Sequence, residues 1–339
     1  MKLLALRFTD RCLSTLIAVV VALAALASPA CAAEAARKIP VILSTDIGDD
    51  IDDTWALGFL IKSPELDLKL AVGDYGRPEY RAKLLAKFLQ RAGRSDVPVG
   101  LGVEVTKPGG EPRQSEWVKD YDLASYPGKV HRDGVQAMID LIMKSPEPIT
   151  VIAIGPAPNI AAALEREPRI ADKARFVGMH GSVRVGYGGG KTPAAEWNVK
   201  CDPKACQKAF TAPWEVTITP LDTCGIINLT GDKYRKFRNS KDPVAVAILD
   251  NYRLWLAHPN NGKGDIKPAE TRSSTLFDTV AVYLAFDQSL CTMETLGIRV
   301  TDDGFTRIDP AAKKVSVASS WKNLGAFEDM LVERVTGGK

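Results

Sequence analysis

The chain predicts an α/β fold: a Rossmann-like, mostly parallel sheet with helices on both faces, forming a single domain with a small C-terminal β/α extension. Three observations predict it. Short runs rich in Val, Ile and Leu alternate with longer segments of helical period, the pattern of βαβ units whose strands are buried on both faces. Glycine-rich and acidic clusters follow the apolar runs, as expected where strand carboxyl ends feed ligand-binding loops. No repeat, low-complexity tract or linker breaks up the 339 residues, a length one large α/β domain can use.

The first 32 residues stand apart from that pattern. Lys2, Arg7 and Arg11 precede the apolar run LSTLIAVVVALAALA, which ends in the small residues SPACAAEAA. That is the layout of a secretory signal, and Ala30-Cys31-Ala32 fits cleavage after Ala32. A lipoprotein signal through Cys31 fits less well, because Ser28 stands where an aliphatic residue is preferred. The apolar run is short for a membrane span. The expectation is a removed signal over 1–32 and a folded body over 33–339, secreted or periplasmic and not held in a membrane.

In the body, PVILSTD (40–46) is the first strand and DDTWALGFLIKS the first helix. LDLKLAVGD (66–74) is the second strand, followed by a helix, EYRAKLLAKFLQRAG (79–93), that stops at Gly93. VPVGLG makes a short third strand, and the polar, Pro- and Gly-rich stretch 102–130 suits a mobile flap. The helix GVQAMIDLIMKS then leads into a central strand, PITVIAIG (148–155), with further strands in RFVGMHG (175–181) and WEVTITPLD (214–222). Beyond Asp222 the period turns helical through KYRKFRNS, PVAVAILDNYRLWLAH and TLFDTVAVYLAF. ETLGIRVT and KKVSVAS are short β segments before a closing helix.

Formal net charge is +3, and part of that sits in the leader. A near-neutral body gives no electrostatic case for nucleic-acid binding, so a small molecule is the expected partner. Cys201, Cys206, Cys224 and Cys291 remain after the leader. No pair has CxxC spacing and no His lies close in sequence, which argues against zinc and leaves buried thiols or one structural disulfide.

The chemistry concentrates in STDIGDDIDD (44–53), five carboxylates with no cation among them. Acids crowded at a strand end repel one another unless a cation sits between them, and oxygen ligands suit Ca²⁺ or Mg²⁺. The EF-hand template fails, with Ile51 at the sixth position from Asp46 and Leu57 at the twelfth. An aspartyl-phosphate reading of Asp50-Ile51-Asp52 places the pair late in the loop. A solvated acidic loop is the bland alternative.

Later blocks bear on that choice. A strand followed by TDxGxDxDDxxAL resembles the opening of the inosine-uridine type nucleoside hydrolases. VPVGLG, ITVIAIGPAPNIAAALEREPRI, FVGMHG with AAEWNVKCDPKA, ITPLDTC and LFDTVAVYLAF resemble further family segments in the family's order, from about residue 40 to the closing helix. The resemblance implies a catalytic domain that cleaves the N-glycosidic bond of ribonucleosides to free base and ribose, and a homo-oligomer by analogy. It implies one Ca²⁺ held by Asp46, Asp53, Asp278 and the Pro158 carbonyl, with water and the ribose 2′- and 3′-hydroxyls completing the shell. Asp46 would be the base for the attacking water and Asp52 would contact a ribose hydroxyl. Glu196 and Asn198 would grip the 5′ side, and Met179 would pack on the sugar. Asp222 reads as structural.

Several positions depart from the pattern. The acidic loop is two residues longer than DTDPGxDD, so Asp50 and Asp52 could exchange roles. Asp74 stands where an Asn usually meets the ribose, and Gly190 where another Asn is common. Phe277 replaces a His thought to help the leaving base; Trp197, Trp255, Tyr252, His131 and His258 are candidates for that help. Two other readings stay open at this point: a secreted Ca²⁺-dependent nucleoside or sugar binder without turnover, and a hydrolase of another pentosyl glycoside.

Overall fold

A computed structural model of the chain describes residues 37–106, 109–260 and 264–337. The expected signal segment lies outside the described residues. The body from Lys38 onward is one compact unit. Among the described residues no helix is long and apolar enough to cross a membrane.

The strands are β1 (Ile39–Thr45), β2 (Leu66–Gly73), β3 (Val99–Gly100), β4 (Val130–His131), β5 (Ile149–Ala153), β6 (Ala174–Met179), β7 (Val216–Thr219), β8 (Cys291–Val300), β9 (Thr306–Ile308) and β10 (Lys314–Trp321). They form one ten-stranded sheet in the order β4-β3-β2-β1-β5-β6-β7-β10-β8-β9. From β4 through β7 to β10 the pairing is parallel; β8 pairs antiparallel with both β10 and β9 and is the one reversed strand of this sheet. The C-terminal strands β8–β10 extend the main sheet beyond β7.

Strand periodicity splits the core in two. Val41 and Leu43 of β1 face one apolar layer, while Ile42 between them faces the other. The first layer holds the helices Asp52–Ile61, Pro78–Arg91, Pro243–Ala257, Thr279–Leu284 and Leu324–Val335; the second holds Gly134–Lys144, Pro158–Arg166 and Pro203–Thr211. The helix Asp52–Ile61 is buried from Asp52 to Leu60. It needs no polar face because it packs against the helices Pro243–Ala257, Thr279–Leu284 and Leu324–Val335 as well as β2.

The strand order reverses direction between β1 and β5, where chain progress runs outward to β4 on one side and to β7 on the other. Crevices at such a reversal, beyond the strand carboxyl ends, are where open α/β sheets place ligands. Asp46 follows β1 and Ile154 follows β5, so the acidic loop opens into that crevice.

The stretch expected to be a flap is docked instead. Gln114 is fully buried, accepting from Thr54 Oγ1 at 3.0 Å and donating to the Asp50 carbonyl at 3.0 Å. Farther along, the Tyr126 hydroxyl donates to the Val97 carbonyl at 2.7 Å. All four cysteines of the body are free thiols, so no disulfide staples it.

Candidate active site: buried acids at the reversal of the sheet

Each acid is set by its element. Asp46 ends the first strand run, Asp52 and Asp53 open the helix Asp52–Ile61, and Asp278 precedes the helix Thr279–Leu284. Asp278 makes no side-chain capping bond there, so its carboxylate is free for the cavity. The carboxylate oxygens of Asp52, Asp53 and Asp278 converge within 4.8 Å of one another. The Asp278 backbone N–H donates to Asp52 Oδ2 at 3.3 Å, and Thr45 Oγ1 donates to Asp53 Oδ1. Asp46 lines the same cavity, beside this trio rather than within it.

The cavity has a volume of about 320 Å³. Its walls include Asp49, Asp50, Met179, Glu196, Asn198 and Phe277 together with the four acids above. Tyr187 and Trp197 form an aromatic rim: the Tyr187 ring meets Phe277 edge-on at 6.1 Å, and its hydroxyl accepts from the Trp197 N–H at 2.8 Å. Glu196 accepts from the N–H groups of Gly181 at 2.9 Å, Asn198 at 2.8 Å and Val199 at 3.2 Å, which caps the short helix Trp197–Cys201. Asn198 Nδ2 donates to the carbonyls of Met179 at 3.0 Å and Ile154 at 3.3 Å.

Electrostatics make the cluster costly to leave alone. Burial raises the pKa of Asp52, Asp53 and Asp278, and repulsion from neighbouring acids adds to it. Burial likewise lifts Asp46 to about 8, opposed by Arg81 and reinforced by Asp49 and Asp74. Burial takes Glu196 to about 7 against the pull of its backbone donors. Carboxyls held this way favour the neutral form unless positive charge joins them.

Arg81 supplies one such charge, and the sequence reading missed it. Fully buried, it donates from Nη1 to the carbonyls of Asp46 and Ile47, the latter at 2.9 Å, and from Nη2 to Asp49 Oδ2 at 3.2 Å and the Tyr75 carbonyl at 2.8 Å. Asp49 is thereby spent on an ion pair, with Arg77 a second cation at 3.7 Å. The available signal was a charge on the apolar stripe that Leu84, Leu85 and Phe88 share. Gly48 sits under this loop at φ +110°, where a Cβ would fall 2.6 Å from Leu84 and Tyr80.

The structure corrects several expectations. Pro158 does not line the cavity; it opens the helix Pro158–Arg166, while Ile154, just after β5, does line it, its carbonyl accepting from Asn198. Asp74, expected at the sugar, does not line the cavity. It is buried outside the cavity, accepting from the N–H groups of Ala157 at 2.9 Å and Asn159 at 3.1 Å, so it anchors a helix start. His258 ends the helix Pro243–Ala257, and His131 lies on β4 in a separate groove; neither lines the cavity. Trp255, Tyr252 and Gly190 are absent from its walls too, Trp255 donating to the Asp49 carbonyl at 3.1 Å. Asp222 is structural as expected, accepting from the N–H groups of Val183 at 2.9 Å and Arg184 at 2.8 Å.

Comparison with known proteins settles the family. The model of the inosine-uridine preferring nucleoside hydrolases matches residues 41–330. The chain belongs to that family. Among curated relatives, this nucleoside hydrolase is 26% identical over 300 residues to a probable uridine nucleosidase 1 of Oryza sativa subsp. japonica, covering 85% of this chain and 90% of that one. It is 28% identical over 244 residues to the pyrimidine-specific ribonucleoside hydrolase RihA of Citrobacter koseri, covering 66% and 73%. Its fold matches a plant nucleoside hydrolase, the PpNRh1 enzyme, with a TM-score of 0.74 at 24% identity over 88% of this chain and 99% of that one. A purine-preferring ribonucleoside hydrolase from Gardnerella vaginalis gives 0.71 at 24% identity over 88% and 98%. Membership makes the chain an enzyme that hydrolyses the N-glycosidic bond of nucleosides.

Proposed function

We propose that this nucleoside hydrolase works outside the cytoplasm as a Ca²⁺-dependent N-ribohydrolase, splitting ribonucleosides into free base and ribose, and that it acts as a homo-oligomer. The observation that carries the metal reading is the convergence of Asp52, Asp53 and Asp278 in a buried cavity. The donor set is all oxygen, which fits a hard divalent cation. Asp46, Asp52, Asp53, Asp278 and the Ile154 carbonyl are the groups that would hold it. When bound, the ion would supply positive charge that offsets the clustered carboxylates and makes water and sugar hydroxyls more acidic.

The remaining work falls to side chains of this chain. Asp46, beside the trio, takes a proton from the water that attacks C1′. As the bond to the base stretches, positive charge spreads over the sugar ring, and the surrounding carboxylates stabilise it. Asp52 accepts from a ribose hydroxyl. Glu196 and Asn198 orient the 5′ side, and Met179 packs on the ring. Residues 1–32 direct export and leave 33–339 as the catalytic body.

The test is purified mature protein incubated with a panel of purine and pyrimidine nucleosides, with and without chelator, reading released reducing sugar. Release that chelator abolishes and Ca²⁺ restores supports the proposal. Calcium bound at stoichiometry with no release from any nucleoside would overturn it. Asp46→Asn is expected to lose about 10³-fold in kcat or more.

A further inference from the structure

Arg113 is the one cation among the described residues that line the acid cavity. Its place is built. The Arg113 N–H donates to the Gly48 carbonyl at 3.0 Å and its Nη1 to the Asp49 carbonyl at 3.1 Å. Gly110, on the same segment, has φ +73°, and a Cβ there would fall 2.2 Å from Asp49 Oδ2. On the other side, a Cβ on Gly109 would come within 3.2 Å of the Trp197 ring. The segment thus runs from the acidic loop to the aromatic rim.

Arg81 and Arg77 pair with Asp49, while Arg113 acts on Asp49 and Asp50 only at longer range. Among the described residues Arg113 forms no ion pair within 4.0 Å, and its Nε is buried without a hydrogen-bond partner. Arg113 as a whole is half-buried and lines the cavity, so its charge faces whatever ligand the cavity takes.

We infer that Arg113 binds the nucleobase and takes up its negative charge as the glycosidic bond breaks. The inference rests on the N-ribohydrolase reading above. Sugar hydroxyls need acceptors, so the ribose faces the carboxylates; the base then faces the rings of Tyr187, Trp197 and Phe277 and the guanidinium. Phe277 has no proton to give. The C1′–N bond breaks with its electron pair going to the base, and the water oxygen bonds to C1′. One water proton passes to Asp46 and then to solvent, and the departed base takes a proton from solvent. Arg113 transfers none; its N–H groups hold the anion.

The experiment compares kcat/KM on uridine and inosine with that on 4-nitrophenyl β-D-ribofuranoside, whose leaving group departs as a stable anion without help. Arg113→Gln is expected to lose about 100-fold on both nucleosides and less than about threefold on the nitrophenyl riboside. Arg113→Lys recovers part of the loss and serves alone if the Gln variant does not fold by circular dichroism. Equal losses on all substrates, or none on the nucleosides, would overturn the inference. A wild-type enzyme that cleaves the nitrophenyl riboside keeps the parent reading standing in either case; one that cleaves nothing sinks both.

Discussion

Arg81 is a charged side chain with no exposed surface, and its worth lies in the loops it ties together. It joins the carbonyls of Asp46 and Ile47 after β1 to the Tyr75 carbonyl after β2 and pairs with Asp49. Arg81→Met would leave Asp49 to the more distant Arg77, and the expected cost is about 3–5 kcal/mol in urea unfolding; Arg81→Lys, which keeps the charge but not the fork, should cost less. Asp278→Asn separates two effects by sign. Removing one of the converging acids relieves repulsion, so the ion-free variant should melt higher than wild type. The same change should abolish the Ca²⁺-induced rise in melting temperature and lower kcat by about 10³-fold. A melting temperature that falls without the ion and still rises with it would show that Asp278 is not part of the cluster's charge. The acids of the loop 44–53 were legible in sequence as candidate cation ligands, though Asp49 turns out to pair with Arg81 and the convergence is of Asp52, Asp53 and the distant Asp278. Pro158 was assigned by resemblance to a family stretch, but a backbone carbonyl leaves no mark on residue identity; only the course of β5 brings Ile154 rather than Pro158 to the cavity wall, its oxygen accepting from Asn198.

At the scale of elements, strands with strong apolar runs were plain in sequence, and the helix Pro78–Arg91 was bounded within two residues by its period and by Gly93. The two-residue strand β4 and the three-residue β9 were not, because neither is long enough to show alternation. The short helices Trp197–Cys201 and Pro203–Thr211 stayed hidden: Glu196, the cap of the first, read as a sugar contact, and Asp202, the cap of the second, carried no reading of its own. Asp74 shows the same confusion between binding and capping. Asp74→Asn keeps an oxygen for one backbone donor but presents an N–H₂ to the other, and it should cost about 1 kcal/mol while leaving KM unchanged. Burial raises the folded Asp74 pKa from 3.8 to about 6. The folded state therefore holds its proton more tightly, and the stability this adds is full below pH 3.8 and lost as pH rises through about 6. The stability of wild type relative to Asp74→Asn should fall across that window in denaturation curves taken at each pH.

Over the whole molecule the acid cluster sets how stability responds to pH and to metal. Asp46, Asp52, Asp53 and Asp278 all have raised pKa values in the fold, Asp46 reaching about 8. Without an ion, the folded state binds more protons than the unfolded state above the ordinary carboxylate range, so stability should decline as pH rises toward 8. An ion requires the carboxylates deprotonated, so its stabilisation should grow over the same range. Scanning calorimetry at pH 5 and pH 8, with Ca²⁺ and with chelator, should give the larger Ca²⁺-dependent shift at pH 8. A shift of equal size at both would mean that the bound ion does not contact these groups.

The bond between the Asp278 N–H and Asp52 spans 226 positions of the chain. A ribosome must add about two thirds of the polypeptide after Asp52 before Asp278 exists to meet it. Fragments ending short of residue 278 should therefore show no tight calcium uptake, however much of the β1–β7 sheet they form. Metal capture would then act as a completion signal, reporting in a single titration that both ends of the polypeptide have found each other.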